Sequence, residues 1–310
     1  MDRVRATVTA RVPGSTSNLG AGFDCVGVAI GRWMRVTVRQ VPEGARQPIV
    51  IERRGTLSVL SIPPERDLLY RGFASACRAA GRDVPGGLVF TAESDIPVAR
   101  GLGSSAAATV AGAVAATTLL DLGLRKEALV ALCSELEGHP DNVAAAVYGG
   151  ATLVVSDGRG ELAVTPLEVH EALALVIAVP DFTVETSQAR AVLPSVVPHA
   201  QAASAAARSA ALVRGLALAD ARLLAAGLDD LLHVPYRRSL VRGYDAVTAA
   251  ACTAGAWGAT LSGSGPAIVA VAARERAAAV GRAMVLAWEG AGVRAESFQV
   301  VRPAGGYEAA

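Results

Sequence analysis

Lysine is all but missing from this chain. Lys126 is the only one, and arginine supplies the rest of a positive charge that nearly cancels the acidic residues: Lys+Arg 29 against Asp+Glu 28, a formal net charge of +1. So close a balance gives no strong field toward nucleic acid or an anionic membrane. There is no Gly-Lys-Ser/Thr anywhere, which excludes a Walker A phosphate loop. A Schiff-base lysine would have to be Lys126, in "LGLRKEAL", a polar turn of an expected helix where a lysine is ordinarily solvated. Cysteine is scarce too. Cys25, Cys77, Cys133 and Cys252 form no Cys-x-x-Cys pair, and His139, His170, His199 and His233 show no zinc-ligand spacing. The cysteines are expected as reduced thiols. No run approaches about 18 uncharged apolar residues, and "MDRVRATVTA" has no apolar signal core, so a soluble cytoplasmic protein is expected. What is abundant is apolar residue, 52% of 310, enough for a sizeable core.

The pattern along the chain mixes strands and helices without a regular βαβα alternation, which predicts an α+β fold. Strands are expected at "VRATVTARVP", "WMRVTVRQ", "PIVIE" and "GGLVFTAE", with a loop, "GSTSNLGAGFDCVG", broken by its glycines. Asp67 is expected to cap a helix that Gly81 ends, and Ser104 or Ser105 to cap one running to about Leu120. Further helices are predicted at "RKEALVALCSELEG" and "VAAAVYGG". Beyond them come a buried strand "ALALVIAVP", helical structure over about 198–230, a helix "GYDAVTAAACTAG", a hairpin "GATLSGSGPAIVAVA", a helix over about 274–290 and a strand "AESFQVV". A weak change in composition places a division near residue 155, giving units over 1–155 and 156–310.

Four polar stretches carry chemistry. In "PVARGLGSSAA" two glycines precede a helix start, where free N–H groups and the helix dipole favour an anion. Ser104 and Ser105 add hydroxyls that suit a cap or a metal ion. An ordinary strand-loop-helix junction has the same look. In "ELEGHPDN", His139, Asp141 and Asn142 crowd one turn beside acidic residues, and Glu137 or Glu135 is placed to give a nucleotide-bound magnesium its one carboxylate. Asn18 and Asp24 sit in "PGSTSNLGAGFDCVG", and "LSGSGP" at 261–266 is a third glycine-rich loop. Three such loops between regular elements suggest backbone wrapped closely round a ligand.

Taken in order, "PGSTSNLGAGFD", "PVARGLGSSAA" and "LSGSGP" resemble the three motifs of the GHMP kinases, over about residues 10–270. Within that family "NLGAGFDCVG", "EGHPDNVA", "TSQARAVLP" and "HVPYR" are most similar to the branch acting on L-homoserine. The resemblance implies transfer of the ATP γ-phosphate to the homoserine hydroxyl, a step toward threonine, with Mg2+ as cofactor. It implies an α+β GHMP fold: an ATP-binding N-terminal domain with a left-handed β-α-β unit, a ferredoxin-like C-terminal domain, and commonly a homodimer. In this branch the helix at 67–80 often starts with Asn-Leu near the adenine; here it starts Asp67-Leu68.

Carried over position by position, the resemblance assigns the nucleotide to Pro97, Val98, Ala99, Arg100, Gly101, Leu102, Gly103, Ser104, Ser105, Ala106 and Ala107, and the metal to Ser104, Ser105 and Glu137. Homoserine needs a cationic fork for its carboxylate, which Arg190 and Arg237 provide. Its ammonium needs acceptors: Asn18, Asp24 and Asp141, with His139 beside them. Thr186 and Gly263 complete the expected substrate contacts. Asn142 is the candidate to orient the hydroxyl. An amide is no general base, but phosphoryl transfer runs largely on positioning and electrostatics; the runner-up is Asp141 as a carboxylate base. Two alternatives stay open: a GHMP kinase of another small alcohol, mevalonate-like or a sugar, and a non-catalytic ligand sensor.

Overall fold

β1 (Thr7–Asn18) and β2 (Gly22–Gln40) pair as a long antiparallel hairpin. The computed structural model describes residues 7–41 and 49–310, so residues 4–6 and Pro48 of the expected strands lie outside the described residues. The loop expected over 14–27 is mostly strand, with Ser15 opposite Ala29 and Ser17 opposite Gly27. Glycine serves there as a gap on the sheet rather than as a breaker: a Cβ on Gly27 would stand 2.2 Å from the Asp141 carbonyl oxygen. That gap lets the segment carrying Asp141 lie directly on the hairpin.

β3 (Val50–Gly55), α1 (Leu68–Ala79) and β4 (Leu88–Ser94) form a β-α-β unit whose strands are parallel neighbours. Asp67 caps α1 as expected, accepting from the Leu69 N–H at 2.9 Å, and its other oxygen binds Arg53. α2 (Ser104–Leu119) is buried on nearly every side, as an alanine-rich helix without an apolar stripe must be. Its cap differs from expectation. Gly103, left-handed at φ 68°, is the capping residue, and Ser104 is already helical, so neither serine caps. α3 (Lys126–Glu137) ends at left-handed Gly138 and turns into α4 (Asp141–Tyr148). β5 (Ala151–Ser156) and β6 (Leu162–Leu167) follow as a hairpin laid on the free half of β2. Both belong to the first sheet, and β7, after Leu167, opens the second.

The second half holds β7 (Leu173–Pro180), α5 (Thr186–Ala191), α6 (His199–Leu218), α7 (Ala221–Leu228), α8 (Val234–Arg237), α9 (Tyr244–Thr253), β8 (Ala256–Leu261), β9 (Ile268–Ala273), α10 (Ala277–Gly290) and β10 (Ala295–Val300). The antiparallel sheet order is β10-β7-β9-β8, the ferredoxin-like order. Every residue of β7 is buried because both faces are covered. Leu175 and Ile177 belong to the apolar core shared with α6 and α7, while Val176 and Ala178 belong to the separate one shared with α9 and α10. β11 (Glu308–Ala309) returns to the first sheet as an edge strand on β1. The fold is α+β, as expected. Among the described residues no helix is long and apolar enough to cross a membrane.

Candidate active site

One cavity of about 300 Å³ opens where the β1–β2 turn, the 97–105 loop, the start of α4, the start of α5, α8 and the β8–β9 turn meet. The loop is tied from several sides. Ser15 N–H donates to the Leu102 carbonyl at 3.0 Å and Val184 N–H to that of Ala99 at 3.3 Å, and the Ser262 hydroxyl reaches the Gly101 carbonyl at 2.7 Å. A Cβ on Gly103 would stand 2.3 Å from Ser15 Oγ and 3.1 Å from Asn142 Oδ1, so only glycine fits. Its left-handed turn delivers the free N–H groups of the first turn of α2 to the cavity, which is an anion site by construction.

Pro97 to Ser105 all line the cavity, but Ala106 and Ala107 are fully buried behind it. The Arg100 side chain turns away. Its guanidinium donates to the carbonyls of Pro180, Val98 and Asp181 at 2.9, 3.0 and 2.9 Å, tying the loop to the end of β7. Glu137 stands one helical turn deeper than Ser105. Its Oε1 accepts from the Thr109 hydroxyl at 2.7 Å, and its other oxygen has no partner among the described residues. Glu135 is exposed.

Asn142 is clamped at both ends of its amide: Oδ1 accepts from Ser15 Oγ at 2.8 Å and Nδ2 donates to Ser17 Oγ at 2.9 Å. Ser15 and Ser17 escaped the sequence reading because the alternation of a strand was hidden among glycines. Asp141 Oδ1 accepts from His139 Nδ1 and from the Asn142 N–H, both at 2.8 Å. Burial pushes the Asp141 carboxyl up, but His139 and the Asn142 N–H outweigh it and hold it below its ordinary 3.8. Burial likewise pushes His139 down, and the Asp141 carboxylate more than reverses this, raising it above 6.5.

The opposite wall is charged. Arg190 forks onto Asp24, Nη1 to Oδ2 at 3.2 Å and Nη2 to Oδ1 at 2.9 Å. Asn18 Oδ1 accepts the Asp24 N–H, and its Nδ2 donates to the Gly263 carbonyl, both at 2.9 Å. Thr186 and Ser264 face each other at 3.4 Å. Arg237 is only 2% exposed. Its Nε donates to the Ala189 carbonyl at 3.0 Å and its Nη1 to His233 Nδ1 at 3.3 Å and, at the 3.5 Å limit, to the Gly263 carbonyl, leaving Nη2 without a partner among the described residues. Burial and the neighbouring Arg190 charge pull its pKa down to about 10. Two arginines held that close call for an anion. The third wall is apolar, made by Leu57, Leu60, Ile62 and Leu68. Only Leu68 of these four stood out in the sequence, at the helix start; Leu57, Leu60 and Ile62 did not, although "TLSVLSIPP" is conspicuously apolar for a connection.

A glycine-bent helix start, a buried carboxylate-amide turn and an arginine wall, all on an α+β scaffold, define a phosphoryl-transfer class of site. Residues 67–150 match the description "GHMP kinases N terminal domain" and residues 210–289 "GHMP kinases C terminal". The chain belongs to the GHMP kinase family. Curated relatives include the homoserine kinases of Picosynechococcus sp., 41% identical over 93% of this chain and 94% of that protein, and Gloeobacter violaceus, 42% identical over 91% and 93%. Among solved structures, the homoserine kinase of Cytophaga hutchinsonii superposes with a TM-score of 0.87 at 28% identity, covering 100% of this chain and 99% of that one. The mevalonate kinase of L. major, in complex with R-mevalonate, shares the fold with a TM-score of 0.67 at 19% identity, covering 92% of this chain and 94% of that one.

Proposed function

We propose that this chain transfers the γ-phosphate of ATP to the side-chain hydroxyl of L-homoserine, giving O-phospho-L-homoserine on the route to threonine. One observation carries the reading: an anion-binding helix start and the charged cluster Asp24, Arg190 and Arg237 open on the same cavity. A phosphate donor fits the first, and a zwitterionic amino acid fits the second.

The N–H groups opening α2 hold the phosphates, with the apolar wall of Leu57, Leu60, Ile62 and Leu68 taking the purine. Asp67, committed to its cap and to Arg53, takes no part in adenine contact. The chemistry of these groups suits magnesium: the Ser104 and Ser105 hydroxyls line the cavity at the phosphate end, and Glu137, behind the lining on Thr109, has one carboxylate oxygen without a partner among the described residues. A magnesium ion held by these groups would supply neutralisation of the phosphate charge. On the acceptor side, Asp24 and Arg190 neutralise each other before substrate arrives. The incoming zwitterion splits that pair, its ammonium going to Asp24 and Asn18 and its carboxylate to Arg190 and the free Nη2 of Arg237. Thr186 and the Gly263 backbone close that end of the site. Asn142, locked by Ser15 and Ser17, orients the hydroxyl through its remaining Oδ1 lone pair. No dedicated base is needed, because the transition state is loose. Asp141 Oδ1 is filled by His139 and Asn142, and through these bonds the carboxylate holds the turn that carries Asn142.

ADP release from Mg-ATP, measured against L-homoserine, mevalonate, galactose and 3-aminopropan-1-ol, tests the reading. Phosphorus NMR should identify O-phosphohomoserine as product. Turnover with mevalonate or galactose and none with homoserine would reject it. We also place the domain division at about residues 168–172, and infer a homodimer, which light scattering checks.

A further inference from the structure

We propose that His233 is a positioning residue whose neutral ring sets the orientation of the Arg237 guanidinium; its kinetic consequence rests on the homoserine reading above. His233 is completely buried. Its Nδ1 lies 3.3 Å from Arg237 Nη1, and its Nε2 lies 3.2 Å from the Gly20 carbonyl oxygen. An arginine only donates and a carbonyl only accepts. These two neighbours therefore specify one form of the ring, with Nδ1 bare and the proton on Nε2. Burial favours the same neutral form, drawing the pKa down to about 4.

The ring is itself held. Phe23 stacks on it with centroids 4.8 Å apart and planes 20° apart, and the Arg237 guanidinium carbon sits 5.1 Å from the Phe23 centroid. Asp230 Oδ2 accepts the backbone N–H groups of Leu232, His233 and Val234 at 3.0, 2.6 and 2.7 Å, fixing the start of α8. Gly20 and Phe23 belong to the β1–β2 hairpin, so the histidine joins the turn that carries Asn18 and Asp24 to the helix that carries Arg237. With Nε and Nη1 occupied, the guanidinium cannot swing, and Nη2 is left at a set direction. A free arginine would have to lose that rotation each time it bound an anion, which weakens binding. The sequence offers only the letters "HVPYR", and a histidine four residues before an arginine on a short helix carries no signal of this role.

Three variants separate the ring's two bonds. His233→Asn keeps an acceptor where Nδ1 stood, His233→Gln keeps a group where Nε2 stood, and His233→Leu keeps neither. The first readout needs no substrate: nitrogen-15 NMR of the Arg237 guanidinium, assigned by its loss in Arg237→Lys. Slow rotation about the Nη bonds is expected in the parent and in His233→Asn, and fast rotation in His233→Leu and His233→Gln. The second readout is kinetic. KM for homoserine should rise roughly tenfold in His233→Leu and His233→Gln, the scale of one charge-assisted hydrogen bond, and return to within about threefold of the parent in His233→Asn, with KM for ATP unchanged. Phe23→Leu, which leaves both hydrogen bonds intact, is a second probe should a histidine variant fail to fold; it should loosen the guanidinium partially. Guanidinium rotation that is equally slow in all variants, or KM values for ATP and homoserine that rise together, would overturn the proposal. If rotation follows the expected order while the homoserine KM stays flat, the positioning role stands and the assignment of Arg237 to the substrate carboxylate falls.

Discussion

At the scale of the residue, the site is made of charges and amides whose partners are inside the protein. His139 and Asp141 show what this does to stability. His139, raised above 6.5, contributes stability that is full below 6.5 and lost as pH rises through its folded value. Asp141, lowered below 3.8, contributes stability present above 3.8 and lost as pH falls through its folded value. The pair therefore acts most strongly between those two ordinary values. His139→Asn should lower Tm most at pH 4–6.5. The deficit should shrink as pH is raised past the His139 transition, and calorimetry at stepped pH checks this. A deficit that grows toward alkaline pH would mean that the histidine is neutral in the fold. The sequence showed the crowding of His139, Asp141 and Asn142, because they are adjacent in the chain. It concealed Ser15, Ser17 and Phe23, because their contacts with Asn142 and His233 cross more than a hundred positions.

At the scale of the element, the start of α2 is the component that most resists change. Gly103→Val places a β-branched side chain where even a Cβ would meet Ser15 Oγ and where φ is positive. Calorimetric titration should show ATP affinity lost by at least about tenfold while the far-ultraviolet spectrum is kept, since the site depends on free N–H groups being aimed. Arg100 makes the complementary case. Its three donations to main-chain carbonyls bind the loop to the end of β7, so Arg100→Lys, which lacks the planar fork, should raise KM for ATP and for the acceptor together, by roughly 3- to 10-fold. A rise for ATP alone would put the guanidinium on the nucleotide instead. Helix and strand positions such as α3, α10 and the β8–β9 hairpin were legible, because capping glycines and periodicity are local signals. The outer halves of the β1–β2 hairpin were legible too, but its tip over 14–27 was not, because the glycines there admit α4, a contact that sequence spacing does not reveal.

At the scale of the whole molecule, the two sheets share one cavity, and the end of the chain fastens the first. Gly150 N–H donates to the Ala304 carbonyl at 2.8 Å, Ala304 N–H to that of Ala29 at 3.1 Å, and β11 pairs with β1. Removing residues 303–310 should free the end of α4 and expose an edge strand. Tm is expected to fall by several degrees, on the order of the shift for 1–2 kcal/mol in a protein of this size, with kcat falling as Asn142 loosens; unchanged Tm and kcat would show the tail to be dispensable. The fold class was readable because helices and strands alternate irregularly along the chain, whereas the late change of sheet at Leu167 depends on where β6 pairs. The central claim is that Asp24, Arg190 and Arg237 select a zwitterionic alcohol. It is tested most directly by kcat/KM for L-homoserine and for 3-aminopropan-1-ol, which lacks the carboxylate, in the parent enzyme and in Arg237→Ala. A hydrogen bond to a charged group contributes about 1.5–3 kcal/mol, so Arg237→Ala should cost homoserine roughly 10- to 150-fold and the amino alcohol little. Parent enzyme that phosphorylates the amino alcohol as well as homoserine, or a variant that loses both equally, would contradict the account.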